Sequence, residues 1–261
     1  MSRRCARLFA ALLTVSLLFV TGLAHALTFD DALTALDKKD YATALRQLRA
    51  LAERGDVRAQ RELGRMYAKG EGVAKDEAES AKWFNLAKEQ ADAVAAYNRG
   101  DFDAALKAFR PAAEKGQVLA AYMLGLMYAN GQGVAENYPE ALQWLRKAGE
   151  QGEAKAQFAV GVIYFKGLGT PKNDAEAFKW YRRAADQGLA VAQFNLGAMY
   201  AKGQSVTADP VTAHMLYSLA AARGIKPAAA ARDQLAQSMT AEQIAQAVKL
   251  AKAWTPKPEF Q

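Results

Sequence analysis

The stretch ELGRMYAKGEGV, residues 62–73, decides the fold because it returns at fixed intervals along the chain. Two glycines after an apolar run fit either a phosphate-binding loop or a corner between two helices. A phosphate loop needs a lysine after its last glycine and a strand in front, whereas this stretch continues with valine and starts on a helix. The corner is therefore favoured, and the stretch recurs at residues 122–134, 158–170 and 194–206.

The spacing of the copies reveals two kinds of unit. The first glycine of the motif falls at Gly64, Gly125, Gly161 and Gly197, so one interval of 61 residues precedes two of 36. The longer interval contains an added piece, because residues 93–116 match residues 32–55 at the same offset of 61. The front half is thus a larger unit used twice, and two plain 36-residue units follow.

Each 36-residue unit predicts two helices. Apolar residues at four, seven and eight positions after Ala59 lie on one helical face. A second helix carries the series alanine, tryptophan, alanine at spacings of three and four, in which small residues let helices approach and the indole fills the gap. Glycines that follow the first helix, such as Gly70, can end it in the left-handed conformation.

The pattern A-x-x-x-L-G-x-x-Y-x-x-G-x-G-V, followed by A-x-x-W-x-x-x-A, resembles the Sel1-like repeat of the tetratricopeptide superfamily. The resemblance covers about residues 55–224, and the pieces at 32–55 and 93–116 resemble ordinary tetratricopeptide hairpins. It implies an all-α fold, a right-handed superhelix of seven antiparallel helix hairpins. Pro111 is expected to kink or shorten its helix, and a seam near residue 90 is the expected site of a change in curvature.

The two ends of the chain differ from the repeats. Three arginines, an apolar run from Leu8 to Val20 and the Ala24-His25-Ala26 exit are typical of a secretory signal peptide, with cleavage after Ala26. An uncleaved anchor is the alternative, but the run is shorter than the roughly 20 residues that span a bilayer. We therefore predict a signal peptide at 1–26, a repeat solenoid at 27–225, and capping helices with a short tail at 226–261, whose last helix starts with a capping box at Thr240 and Gln243.

Composition argues against common enzyme sites. Residues 1–26 contain three of the 34 cationic residues and none of the 27 acids, so the formal net charge falls from +7 to +4 on cleavage, which does not indicate nucleic acid as a partner. Cys5, the one cysteine, would be removed, and His214 would be the one histidine left. Serine-hydrolase and penicillin-recognising signatures are absent from the sequence. The prediction is a protein with no catalytic residues, no metal site and no cofactor.

Three features that could indicate a function also have a purely structural interpretation. His214 follows a small residue in a helix, which favours packing over catalysis. The cell-adhesion tripeptide Arg99-Gly100-Asp101 aligns with Lys38-Lys39-Asp40, which indicates a hairpin turn. Tryptophans in the repeats could stack on sugars, but their regular helical spacing favours the core; they are Trp83, Trp144 and Trp180.

Helix geometry suggests where a partner binds. Residues three, six and ten after Gly55 point away from the core face of their helix, and the resemblance places these positions on the concave surface where tetratricopeptide proteins bind peptides. Core packing remains the alternative for the aromatic members, and a solvated face for the arginines. The predicted partner-binding residues are Arg58, Arg61, Arg65, Tyr122, Leu126, Lys155, Phe158, Val162 and Phe194. The remaining residues of this face are Leu119, Val191 and Ala198.

The leading hypothesis is an exported, periplasmic or secreted, non-enzymatic scaffold that binds a protein or peptide in its concave groove. A basic end and aromatic residues along the rest suit a peptide with an acidic end and apolar anchors. Envelope signalling, secretion or polysaccharide export are roles that the resemblance implies. The alternatives are a cell-wall-active enzyme or accessory, whose β-lactamase label belongs to cysteine-rich relatives, and a carbohydrate-binding structural element.

Overall fold

The computed structural model describes residues 28–257, and the predicted all-α superhelix of stacked hairpins is confirmed. Within this range the chain forms thirteen helices and no strand. The predicted signal peptide lies outside the described residues. The helices are α1 (Phe29–Asp37), α2 (Tyr41–Glu53), α3 (Val57–Lys69), α4 (Glu77–Asn98), α5 (Phe102–Glu114), α6 (Val118–Asn130), α7 (Tyr138–Glu150), α8 (Ala154–Lys166), α9 (Asp174–Asp186), α10 (Ala190–Lys202), α11 (Pro210–Ala222), α12 (Lys226–Ala236) and α13 (Ala241–Ala253).

The repeated glycine stretch forms the corner between the two helices of each unit, as predicted. Gly70 caps α3 in the left-handed conformation, with φ of 73°, which glycine adopts without a Cβ penalty. The amide of Asp76 then donates to the carbonyl of Tyr67 at 3.0 Å, and the Asp76 carboxylate caps the start of α4. The same backbone bond, to the motif's tyrosine carbonyl, recurs in the next three units at 2.8–3.0 Å.

The core is built where small residues bring paired helices together. Ala59, Ala156 and Ala192 have no exposed surface, and the tryptophans of the second helices fill the space between neighbouring helices. All three repeat tryptophans are buried, and Leu216 is buried at the position where the fourth unit lacks the indole. The pattern of small and large residues therefore sets how closely the helices pack.

One helix belongs to two hairpins. The sequence predicts seven hairpins, yet α4 has 22 residues and runs through the expected seam near residue 90 without a break. Its first part pairs with α3 and its second part with α5. Ala91 stands where the other 36-residue units have a corner glycine, as at Gly152 and Gly188, so nothing at this position ends the helix.

Of the two effects expected of Pro111, a kink or a shorter helix, the shorter helix is wrong. The helix α5 has 13 residues, as many as its counterpart α2. Proline removes one amide donor from a helix, but Phe109 and Ala113 on either side of Pro111 are buried in the core. Burial of these neighbours holds the last turn of α5 in helical conformation.

A bridge joins parts of the chain that are far apart in sequence. The guanidinium of Arg54, after α2, donates to the carbonyl of Gln151, after α7. The carbonyl of Arg54 in turn accepts from the amide of Val118 at 3.0 Å. The corner between the first two hairpins is thereby attached to two later corners.

The last two helices and the segment after them fold back on the array. The predicted capping box at the start of α13 is present, with Thr240 and Gln243 bonded reciprocally. The segment after α13 returns to the corner between α9 and α10, where the amide of Lys257 donates to the carbonyl of Asp186 at 2.7 Å. Trp254 lies against Gly188 and under the guanidinium of Arg223.

Candidate functional site

A cavity of about 540 Å³ between α6 and α8 collects five of the nine predicted partner-binding residues. Its volume is in the range of ordinary ligand pockets. We call it the central groove and define it by its main side chains, which are Tyr122, Leu126, Tyr138, Lys155, Phe158 and Val162.

The apolar members of the central groove are half-buried. Their accessible faces line the cavity, and their other contacts are with the core. The ring of Phe158 packs against Tyr181 with 5.5 Å between centroids. Phe194 makes the equivalent contact with Tyr217 at 5.6 Å, but it does not line the groove. Core packing and an accessible face thus coexist in the same side chains.

Two polar groups of the central groove are available to a ligand. The hydroxyl of Tyr122 can donate, as an ordinary phenol does at neutral pH, and burial, followed by the nearby carboxylate of Glu153, raises its pKa. No hydrogen bond of this hydroxyl is present among residues 28–257. Lys155 is exposed beside the groove. The site can therefore hold apolar side chains, a hydrogen-bond acceptor and a negative charge.

A second depression of about 520 Å³ contains two of the predicted arginines. We call it the N-terminal recess and define it by Arg61, Glu62, Arg65, Phe84, Lys88 and Asp92. Arg65 pairs with Glu62 at 2.7 Å, and Lys88 pairs with Asp92 at 3.4 Å. Arg61 forms no ion pair within the described part of the chain.

Arg58 lies apart from the other two arginines. Its guanidinium pairs with Asp56 at 3.0 Å and covers the ring of Phe29, 4.6 Å from the centroid. The hydrogen bond to Asp56 is the main cause that raises the pKa of Arg58. Arg58 lines a depression of about 300 Å³ together with Leu119 and Glu153. The predicted surface is thus divided into separate recesses.

The sequence interpretation did not single out Phe84. The predicted partner-binding residues all lie on the first helix of their units, and Phe84 lies on a second helix. A signal was available, because an arginine stands at position 61 where the third and fourth units have Phe158 and Phe194. Because the first unit lacks that aromatic side chain, Phe84 remains uncovered.

The structure confirms the packing interpretation of the tryptophans and the turn interpretation of the tripeptide, and it places His214 in the interior. Trp83, Trp144 and Trp180 are buried, which leaves little indole surface to stack on a sugar. Gly100 adopts a φ of 80° in the turn between α4 and α5, and Asp101 caps α5, so the cell-adhesion tripeptide is a hairpin turn. His214 is buried in α11, and burial lowers the pKa of its imidazole.

Two further properties of residues 28–257 concern metal binding and membrane spanning. In this range, histidines, cysteines and carboxylates nowhere form a group of three that could hold a metal ion. The same range contains no helix whose length and apolarity would let it cross a bilayer.

Comparison with known proteins identifies the repeats. The family model for the Sel1 repeat matches residues 57–92, 118–153, 154–189 and 190–225, which is more than half of the chain. No curated protein matches the sequence.

Two solved structures are similar to this chain. A Sel1 repeat protein from Oxalobacter formigenes is 28% identical, with a TM-score of 0.53, and the match covers 87% of this chain and 99% of that one. The protective antigen c5321 of uropathogenic Escherichia coli, which displays an SLR fold, is also 28% identical, with a TM-score of 0.47. That match covers 82% of this chain but only 56% of the Escherichia coli protein.

Proposed function

The chain belongs to the Sel1 repeat family, and we propose that it is an exported, non-catalytic scaffold that binds a protein or peptide partner in the central groove. A Sel1 repeat scaffold fits protein–protein interaction in general. The more specific proposal rests on one observation, the convergence of Tyr122, Leu126, Phe158 and Val162 on one cavity beside the exposed Lys155.

The chemistry of the central groove defines the segment that would bind. Aromatic and aliphatic walls suit apolar anchor side chains, which carry most of the energy in such contacts. The Tyr122 hydroxyl suits a backbone carbonyl, and Lys155 suits a carboxylate. We therefore propose an extended or helical peptide segment with two apolar anchors and a nearby acidic residue.

Photo-crosslinking in intact cells tests this proposal. Tyr122 is replaced by p-benzoylphenylalanine, and the crosslinked partner is captured and identified by mass spectrometry. The control places the same group at Gln143, which is exposed on α7. A specific adduct from position 122, reduced by Lys155→Glu and not seen from position 143, supports the proposal. Equal labelling from both positions contradicts it.

Export is a separate part of the proposal and needs its own measurement. We propose that the signal peptide is cleaved after Ala26 and that the protein acts in the periplasm or outside the cell. Roles in envelope signalling, secretion or polysaccharide export are compatible with that location. Cell fractionation followed by intact-mass measurement should find a chain that begins at Leu27. An unprocessed chain in the cytoplasmic fraction would refute export without affecting partner binding.

A further inference from the structure

Phe84 is exposed although its counterparts in the other units are buried. The residue has 42% of its surface accessible, against 1% for Leu145, 2% for Tyr181 and 6% for Tyr217. These four residues occupy the same position of the 36-residue pattern. The difference therefore comes from what lies around the ring, since the position in the unit is the same.

The repeat pattern explains why the ring of Phe84 is uncovered. All four side chains pack on the motif's glycine, and a Cβ added at Gly64 would lie only 3.1 Å from the Phe84 ring. In the third and fourth units an aromatic side chain, Phe158 or Phe194, then covers the tyrosine at 5.5–5.6 Å between centroids. The first unit has the exposed Arg61 at that position, so this second aromatic layer is missing.

The charges around Phe84 favour an acidic partner. Three cations and two acids surround the ring in the N-terminal recess. Both acids are engaged by Arg65 and Lys88, which leaves the guanidinium of Arg61 as the uncompensated charge of the recess. An arginine side chain can bind a carboxylate through two parallel hydrogen bonds.

We propose that the N-terminal recess binds an acidic segment of a protein partner that places an aromatic side chain against Phe84. The partner's ring takes the position that Phe158 and Phe194 occupy in their own units, and a neighbouring carboxylate binds Arg61. The inference rests on the proposed function as a peptide-binding scaffold and adds a second contact, with stated chemistry, outside the central groove.

Fluorescence anisotropy with three labelled heptapeptides tests the recess directly. The first peptide is acidic with a central phenylalanine, the second has alanine at its centre, and the third keeps the phenylalanine but has amides in place of the acids. The protein is purified as the cell processes it. We expect the first peptide to bind at least about 10-fold more tightly than either of the others, since it alone supplies both the ring and the carboxylates.

Two variants connect this binding to the recess. Phe84→Ala removes the platform for the ring. Arg61→Phe supplies in the chain itself the aromatic side chain that the third and fourth units have, and should cover Phe84. We expect each variant to weaken binding of the first peptide at least about 10-fold. Arg61→Phe should keep or raise the thermal midpoint, so its loss of binding does not come from unfolding.

Several results would overturn the proposal. These are failure of the first peptide to bind, equal binding of all three peptides, or unchanged binding to the folded Arg61→Phe protein. A dimer in sedimentation that dissociates on Phe84→Ala would assign the ring to a second copy of the chain. None of these results affects crosslinking from position 122, which tests the central groove, so the two proposals fail separately.

Discussion

The helices α4 and α9 begin on the same pattern and end differently. Each starts after a cap residue and buries a tryptophan, Trp83 or Trp180. The helix α9 stops after 13 residues, and Gly188 turns the chain with a φ of 89°. The helix α4 continues to 22 residues, through Ala91 at the equivalent position.

The difference shows that the corner glycine, rather than the apolar pattern, decides where the second helix of a unit ends. A residue with a Cβ is strained in the left-handed conformation, so the chain at Ala91 keeps the helical conformation. One consequence is that equivalent glutamines near this position, Gln187 and Gln90, donate hydrogen bonds to different kinds of partner. Gln187 donates to Gln157 within its own unit at 2.8 Å, whereas Gln90 donates to Gln117 beyond its unit at 3.0 Å.

The largest predicted effect comes from removing the buried tryptophan that α4 and α9 have in common. We expect Trp180→Ala to lower the free energy of unfolding by about 3–5 kcal/mol, because it removes a buried indole and leaves a cavity. Trp83→Ala in α4 should cost a similar amount. Guanidinium denaturation followed by circular dichroism measures both, with Gln143→Ala as the surface control. A loss below about 1 kcal/mol would mean that the indoles do not hold the helices together.

The second prediction concerns Gly188, the corner glycine that follows α9. We expect Gly188→Ala to lower the free energy of unfolding by about 2 kcal/mol, from left-handed strain and from a Cβ pressed against Trp254. That Cβ would lie 3.2 Å from the indole.

Gly224 provides the matched control for this corner. It has a φ of 86°, and a Cβ there would meet nothing within 4 Å. Gly224→Ala should therefore cost about 1 kcal/mol, from backbone strain alone. Equal losses in the two variants would show that the Trp254 contact contributes nothing.

The third prediction loosens α4 at the position where α9 ends. We expect Ala91→Gly to lower the free energy of unfolding by about 1 kcal/mol, the usual cost of glycine inside a helix. Hydrogen exchange should accelerate at the amides of residues 92–98. Ala81→Gly, in the part of α4 that has a counterpart in α9, is the control. It should cost a similar amount but leave exchange at 92–98 slow, and equal acceleration in both would argue against a special role for position 91.

The smallest effect concerns a corner where a glycine is missing but the turn persists. Ser205 has a φ of 61°, close to the 62° of Gly169 at the equivalent position. We expect Ser205→Gly to raise the free energy of unfolding by about 0.5 kcal/mol, since relief of strain exceeds the entropy cost of glycine. Thr207→Gly, at a loop residue without positive φ, should not stabilise the protein. A loss of stability in Ser205→Gly would contradict the strain argument.

Much of the fold could be predicted because each corner is specified locally. The glycine at Gly70 and its repeats, together with the capping box at Thr240, determine where helices end and begin. The continuous α4 was missed although the sequence contained its signal, since Ala91 replaces a corner glycine. The predicted shortening at Pro111 failed because burial of its neighbours outweighs one lost hydrogen bond.

The candidate site was less predictable because it depends on contacts between units. Helical geometry selects Tyr122 and Phe158, which line the central groove and also pack against the core. It does not indicate that Arg58 is engaged by Phe29, a residue of another hairpin. The exposure of Phe84 likewise depends on which side chains of the neighbouring helix cover it. A pattern within one helix does not contain that information.

The bridge from Arg54 to Gln151 has a consequence for how the chain unfolds. Arrays of helix hairpins usually contact only their nearest neighbours, so they can unravel from one end, hairpin by hairpin. Here a hydrogen bond spans 97 residues and joins corners separated by three hairpins. Fraying that starts at the first hairpin must break this bond before it passes Val57. The front of the molecule is therefore expected to come apart in one cooperative step.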